Sequence, residues 1–192
     1  MLRSLYDWTL QQAQHRHALW VLAIVSFVES SVFPIPPDVL MIPMILARPS
    51  RAWLIAGVAL IASVLGGVLG YVIGAYFYDT LGQPILQALG KDAAMEAFNG
   101  RFNDLGFWPV LIAGITPFPY KVITIMSGWT GLPIGTFVVT SVIARGLRFF
   151  IVAALLWKFG APIRDFIEKR LGLLFTVFVV ILVTGFYGVR FL

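Results

Sequence analysis

Apolar and polar positions alternate along this chain in long blocks rather than in the short periods of a soluble fold. Residues 1–17 are polar, with Leu2, Leu5, Tyr6 and Trp8 near helical spacing, which predicts a short interfacial helix. Residues 18–47 are apolar but interrupted by Pro34, Pro36, Pro37 and Pro43, and residues 52–78 form an unbroken apolar run long enough to cross a bilayer. Residues 79–105 are mixed. A second proline-interrupted apolar stretch follows at 107–128, then a run at 134–157 that could span although it holds Arg145 and Arg148. A charged stretch, 158–170, precedes a last span at 171–192.

Composition supports the same class. Of 192 residues, 59% are hydrophobic and 12% charged, about half the charged fraction of ordinary soluble domains. The chain is therefore expected to be an all-α integral membrane protein of one membrane domain. It has no cysteine, which excludes disulfides and thiolate chemistry. The two histidines, His15 and His17, lie in the polar N-terminal stretch, where they read as solvated side chains; no metal or other cofactor is expected. The net charge of +5 comes from short basic clusters between apolar runs, a membrane-topology pattern rather than a nucleic-acid face.

Two segments match each other. "FPIPPDVLMIP" starts at Phe33 and "TPFPYKVITIM" at Thr116; with Pro34 set on Pro117, Pro36 meets Pro119, Asp38 meets Lys121 and Val39 meets Val122. A straight helix through such prolines would lose backbone bonds and clash with its own carbonyls. The repeat predicts two re-entrant hairpins, bent by Pro34, Pro36, Pro37, Pro117 and Pro119, with Gly128 relieving strain after the second. Each hairpin is followed by a span: 18–78 is the first such unit, 106–157 the second, and 79–105 their connector. The connector holds two basic and four acidic residues, whereas Arg48, Arg51 and the 158–170 loop are basic. The positive-inside rule then puts the N-terminus and 158–170 in the cytoplasm and the connector outside. The two halves are thus expected to be inverted copies.

A charge facing lipid at the centre of a span costs about 2.5–3.5 kcal/mol even on lenient scales. Arg145 and Arg148 share a helix face, and the hairpin tips bring Glu29, Asp38 and Lys121 to the same depth. One buried, hydrated pocket with a surplus positive charge is expected, which suits an anionic head group. If these charges only neutralised one another, they would hold the hairpins together and nothing more. Ala62, Gly66, Gly70 and Gly74 recur every four residues as a small-residue ridge for helix packing. Trp53, Trp108, Trp129 and Trp157 fall near span ends as interfacial anchors.

The segments "ESSVFPIPPDVLM", "TPFPYKVITIMSG" and "ARGLRFF" resemble the DedA family, also called SNARE-associated or VTT-domain proteins, and in particular its short YqaA-like branch. The resemblance covers residues 18 to 157. It implies a bacterial inner-membrane protein with opposed hairpins, associated with translocation of lipids such as undecaprenyl phosphate and dependent on the proton-motive force, with scramblases among its eukaryotic relatives. It also implies functional charges at Glu29, Asp38 and Lys121. Many members carry an arginine where this chain has Lys121, and a second one six residues earlier, where this chain has Ile115; Arg145 and Arg148 could supply that missing charge.

The expectation is a flippase or scramblase for an anionic lipid, undecaprenyl phosphate or phospholipid. Lys121, Arg145 and Arg148 would bind phosphate, while Glu29 and Asp38 would carry protons or release the head group by competition. A proton- or cation-coupled small-solute transporter is the alternative. An enzyme is not expected, since no serine–histidine–acid or metal-ligand spacing occurs. The partners are membrane lipid and protons, not nucleic acid, and a homo-oligomer is left open.

Overall fold

The computed structural model of the chain describes residues 17–32, 36–90, 92–116 and 119–188. Among these, every regular element is helical. In chain order they are α1 (Ala18–Ser31), α2 (Asp38–Ala47), a 3-10 turn (Pro49–Arg51), α3 (Ala52–Phe77), a π-turn (Tyr78–Gly82), α4 (Gln83–Ala88), α5 (Asp92–Asp104), α6 (Trp108–Ile115), α7 (Tyr120–Trp129) and α8 (Ile134–Gly188). The expected helix over residues 1–17 falls almost wholly outside the described residues, as do Pro34 and Pro117.

The chain breaks at both proline motifs. Pro37 caps the N-terminus of α2 and Pro119 that of α7, positions where a missing N–H costs nothing because no intrahelical partner exists there. The single proline within α2, Pro43, is buried. Between the broken pairs run two unbroken helices. The 26 residues of α3 span about 39 Å, and the 27 residues Ile134–Gly160 of α8 about the same. Both exceed the ~30 Å hydrocarbon core of a bilayer.

The five main helix contacts map onto one another when the halves are exchanged. α1 packs on α3 as α6 packs on α8; α7 packs on α3 as α2 packs on α8; and α3 packs on α8. Two apolar clusters result. One gathers Leu22 of α1, Met41 and Ile45 of α2, Ile55 and Ala59 of α3, and Phe149 and Ala153 of α8. The other gathers Val110, Ala113, Tyr120, Ile123, Leu132 and Phe137, against Val68 and Tyr71 of α3. Between them lies a band of buried polar side chains, including Ser26, Ser30, Ser63, Thr124, Ser141 and Arg145.

Two expectations are corrected. The stretch 158–170 is no loop: α8 continues through it, and through Pro162, as far as Gly188. Charged residues suit a solvated helix as well as a loop, and one proline removes one backbone bond without ending the helix. Gly128 does not relieve strain at a turn either. It lies inside α7, whereas the left-handed glycine of that region is Gly131, with φ 68°. A side chain at Gly128 would collide with the Tyr71 carbonyl of α3, and one at Gly74 with the Ile125 carbonyl of α7. Backbone contact between α3 and α7 is what these glycines permit.

Candidate functional site

Ser63 and Arg145 are each the twelfth residue of their helix, α3 and α8. They lie about 17 Å from the helix starts, near the middle of α3 and of the apolar stretch Ile134–Gly160 of α8. Gly66 allows α1 to approach α3 there, since a Cβ at Gly66 would meet the Phe27 carbonyl. That approach brings Glu29 and Ser30 of α1 to the same level.

The four side chains close a ring. Arg145 donates from Nη2 to Glu29 Oε2 at 2.7 Å and from Nε to Ser63 Oγ at 2.7 Å. Ser30 Oγ donates to Glu29 Oε2 at 3.1 Å, and the Ser30 and Ser63 hydroxyls are 2.7 Å apart. Each hydroxyl has one proton. With Ser30 donating to Glu29, Ser63 must donate to Ser30, and each side chain then has a consistent role. The guanidinium also lies over Tyr120 and Phe149, 4.8 and 4.7 Å from the ring centroids. Arg145 is only 2% exposed and Glu29 12%.

One turn along α8, Arg148 makes a second cross-molecule link. Its Nη2 donates to Asp38 Oδ2 at 2.6 Å, and its Nη1 donates to the Thr116 carbonyl at 2.7 Å. Asp38 stands in the first turn of α2, where a carboxylate suits the helix dipole, and Thr116 is the C-terminal cap of α6, whose free carbonyl takes a cation. Arg148 therefore ties the two broken pairs together. This pair is more open, each side chain being 18% exposed.

Lys121, in the first turn of α7, donates to the Val32 carbonyl at the end of α1, at 3.2 Å. Among the described residues it forms no ion pair. Of the five charges singled out in the sequence, four form two ion pairs between the halves and Lys121 reaches across them to a backbone carbonyl, three positive against two negative. The ridge residues Ala62, Gly66, Gly70 and Gly74 are buried, and Gly66, Gly70 and Gly74 face α1 and α7. The residues that sequence reasoning missed are Ser30, Ser63, Thr124 and Tyr120. Ser63 had a signal, being the sole serine or threonine of α3. Among the described residues no group of three or more His, Asp or Glu could hold a metal ion.

A VTT domain, the DedA family domain, matches residues 35–158. This interval contains α2, α3, α6, α7 and the first part of α8, with Arg145 and Arg148. The chain belongs to the VTT-domain (DedA) family. An uncharacterized protein of Haemophilus influenzae is 40% identical over 169 residues, covering 86% of this chain and 88% of its own length. One of Histophilus somni, also uncharacterized, is 41% identical with the same coverage. No solved structure matches the chain. Family and fold together make it a membrane-associated helical protein of a group linked to membrane transport or lipid handling.

Proposed function

We propose that this VTT-domain protein moves an anionic lipid across the bacterial inner membrane, as a flippase or scramblase. The observation that carries this reading is the ion-pair pattern. Both carboxylates come from the first half, both arginines from the second, and the Asp38–Arg148 pair is the accessible one. An anionic head group arriving there would meet Arg148 and Lys121 and compete with Asp38 for the Nη2 of Arg148, because a phosphate oxygen accepts from a guanidinium as a carboxylate does. The cluster's net charge of one positive favours that exchange. Arg145, enclosed in its ring, would hold the floor of the site.

On this reading the two broken pairs are re-entrant hairpins that enter from opposite faces, as in transporters whose discontinuous helices meet at the midplane. The N-terminus faces the cytoplasm and α4–α5 the outside. Losing the head group would let Asp38 close on Arg148 again, and protons at Glu29 or Asp38 would drive the step.

Flipping of a labelled phospholipid or polyprenyl phosphate in proteoliposomes tests the idea. Lys121→Ala and Arg148→Gln are each expected to slow flipping at least about tenfold, the loss of a charge-assisted bond worth about 1.5–3 kcal/mol. Asp38→Asn should alter the rate by removing the competitor. Equal rates in wild type and all three variants would sink it; uptake of a soluble anion without flipping would point to a small-solute transporter instead.

A further inference from the structure

Buried polar atoms in folded chains find partners, and those that do not call for explanation. Among the described residues, four buried side-chain oxygens have none within the chain: Ser26 Oγ, Ser127 Oγ, Asn103 Oδ1 and Asn99 Oδ1. They are not scattered. Ser63 and Ser30 of the Arg145 ring lead to Thr124, whose Oγ1 lies 3.0 Å from the Ser30 carbonyl and 2.9 Å from that of Lys121 and shares its proton between them. Ser127 follows one turn on in α7. Thr130 comes next, with its Oγ1 on the Ser127 carbonyl at 3.4 Å. Asn103 Nδ2 of α5 then donates to the Thr130 carbonyl at 2.8 Å, and Asn99 lies one turn away on the same face of α5. Three of the four orphaned atoms thus lie beyond the ring, on one path to the connector. The fourth, Ser26, is one turn from Ser30 on the other side, where Leu22 and the first apolar cluster close the path.

We propose that this path holds a file of water, running from the Arg145–Ser63–Ser30–Glu29 ring along α7 to the connector face at Asn99 and Asn103. A water in such a site needs two to four polar partners, and each step of the path offers hydroxyls, carbonyls or an amide. Asn99 and Asn103 are half-buried, which places the mouth of the file at the connector. Serine and threonine hydroxyls can both donate and accept, so the file passes protons as well as water. The ring is then reached from two directions. The open Asp38–Arg148 side admits an anion, and the file supplies water and protons from behind. Its use in transport rests on the function proposed above; its existence does not.

Radiolytic hydroxyl labelling of the full chain in lipid nanodiscs tests it, since radicals born from trapped water mark the side chains next to it. Buried Tyr120 and Phe102 are expected to be labelled, whereas Met41, equally buried in the sealed cluster, stays unlabelled. Ser127→Val and Asn103→Leu should cut the Tyr120 signal several-fold, and Ser26→Ala should leave it unchanged. Tyr120 and Phe102 as unreactive as Met41 would overturn the proposal, as would Tyr120 labelling that neither Ser127→Val nor Asn103→Leu reduces. Should the variants not fold, the wild-type comparison of Tyr120 with Met41 decides alone. A wet file in a protein that flips no lipid would refute only the transport reading.

Discussion

A guanidinium at 2% exposure survives only because its neighbours answer it. Removing one partner of such a pair leaves a charge in a poor solvent, at a cost of about 3–5 kcal/mol. Arg145→Ala is therefore expected to lower thermal stability in detergent by that amount, read as the loss of monodisperse protein on heating. Pairing Arg145→Gln with Glu29→Gln should cost clearly less than Arg145→Ala, because no unpaired charge remains. Equal losses would mean that the ion pair is not what holds α1 to α8. The charges were legible in the sequence because arginine, lysine or a carboxylate inside an apolar run demands a partner. Ser30, Ser63 and the Thr116 carbonyl were not. A serine hydroxyl in a helix can satisfy itself on a preceding carbonyl, so its presence demands nothing, and a backbone carbonyl has no letter at all.

Helix breaks and helix contacts differed in the same way. Two proline motifs can hardly be threaded by a straight helix, and α1–α2 and α6–α7 separate at them. The four-residue spacing of small residues marked α3 as a packing helix, but only the fold shows that α1 meets it at Gly66 and α7 at Gly74. Gly128 was misread because glycine fits both a strained turn and a tight contact, and the sequence does not distinguish them. Gly74→Ala and Gly128→Ala should each push α3 and α7 apart and destabilise by at least about 1–3 kcal/mol. Gly57→Ala and Gly135→Ala, with nothing within 4 Å of the added methyl, should be neutral or gain up to about 1 kcal/mol from helix propensity. Melting curves of the four single variants check this. Similar losses at all four would reject the contact argument. The unbroken course of α8 was hidden because a charged stretch between two apolar runs looks the same whether it turns or continues.

At the scale of the whole molecule, five packed pairs of helices exchange partners consistently when the halves are swapped, which is what an internal repeat requires. The absence of cysteine makes the topology easy to probe. Single cysteines at His17 and Arg51 should react with a membrane-impermeant maleimide from the cytoplasm, and those at Leu105 and Gly135 from outside. Labelling of His17 and Arg51 from opposite sides would mean that the first broken pair crosses the bilayer. The helical, membrane-like character of the chain could be read ahead because block hydropathy acts over tens of residues. The cross-links between halves could not, since nothing local records which distant helix a charge will meet.

Glu29 and Arg145 are 116 residues apart along the chain. A ribosome adding about 5–20 residues each second needs on the order of ten seconds to deliver the arginine after the acid has emerged. For that interval the nascent first half carries a carboxylate with no counter-ion at the depth it will finally occupy. Early folding must therefore leave α1 without its partner until α8 arrives. A chain stopped short of residue 145 would hold the acid without its partner indefinitely.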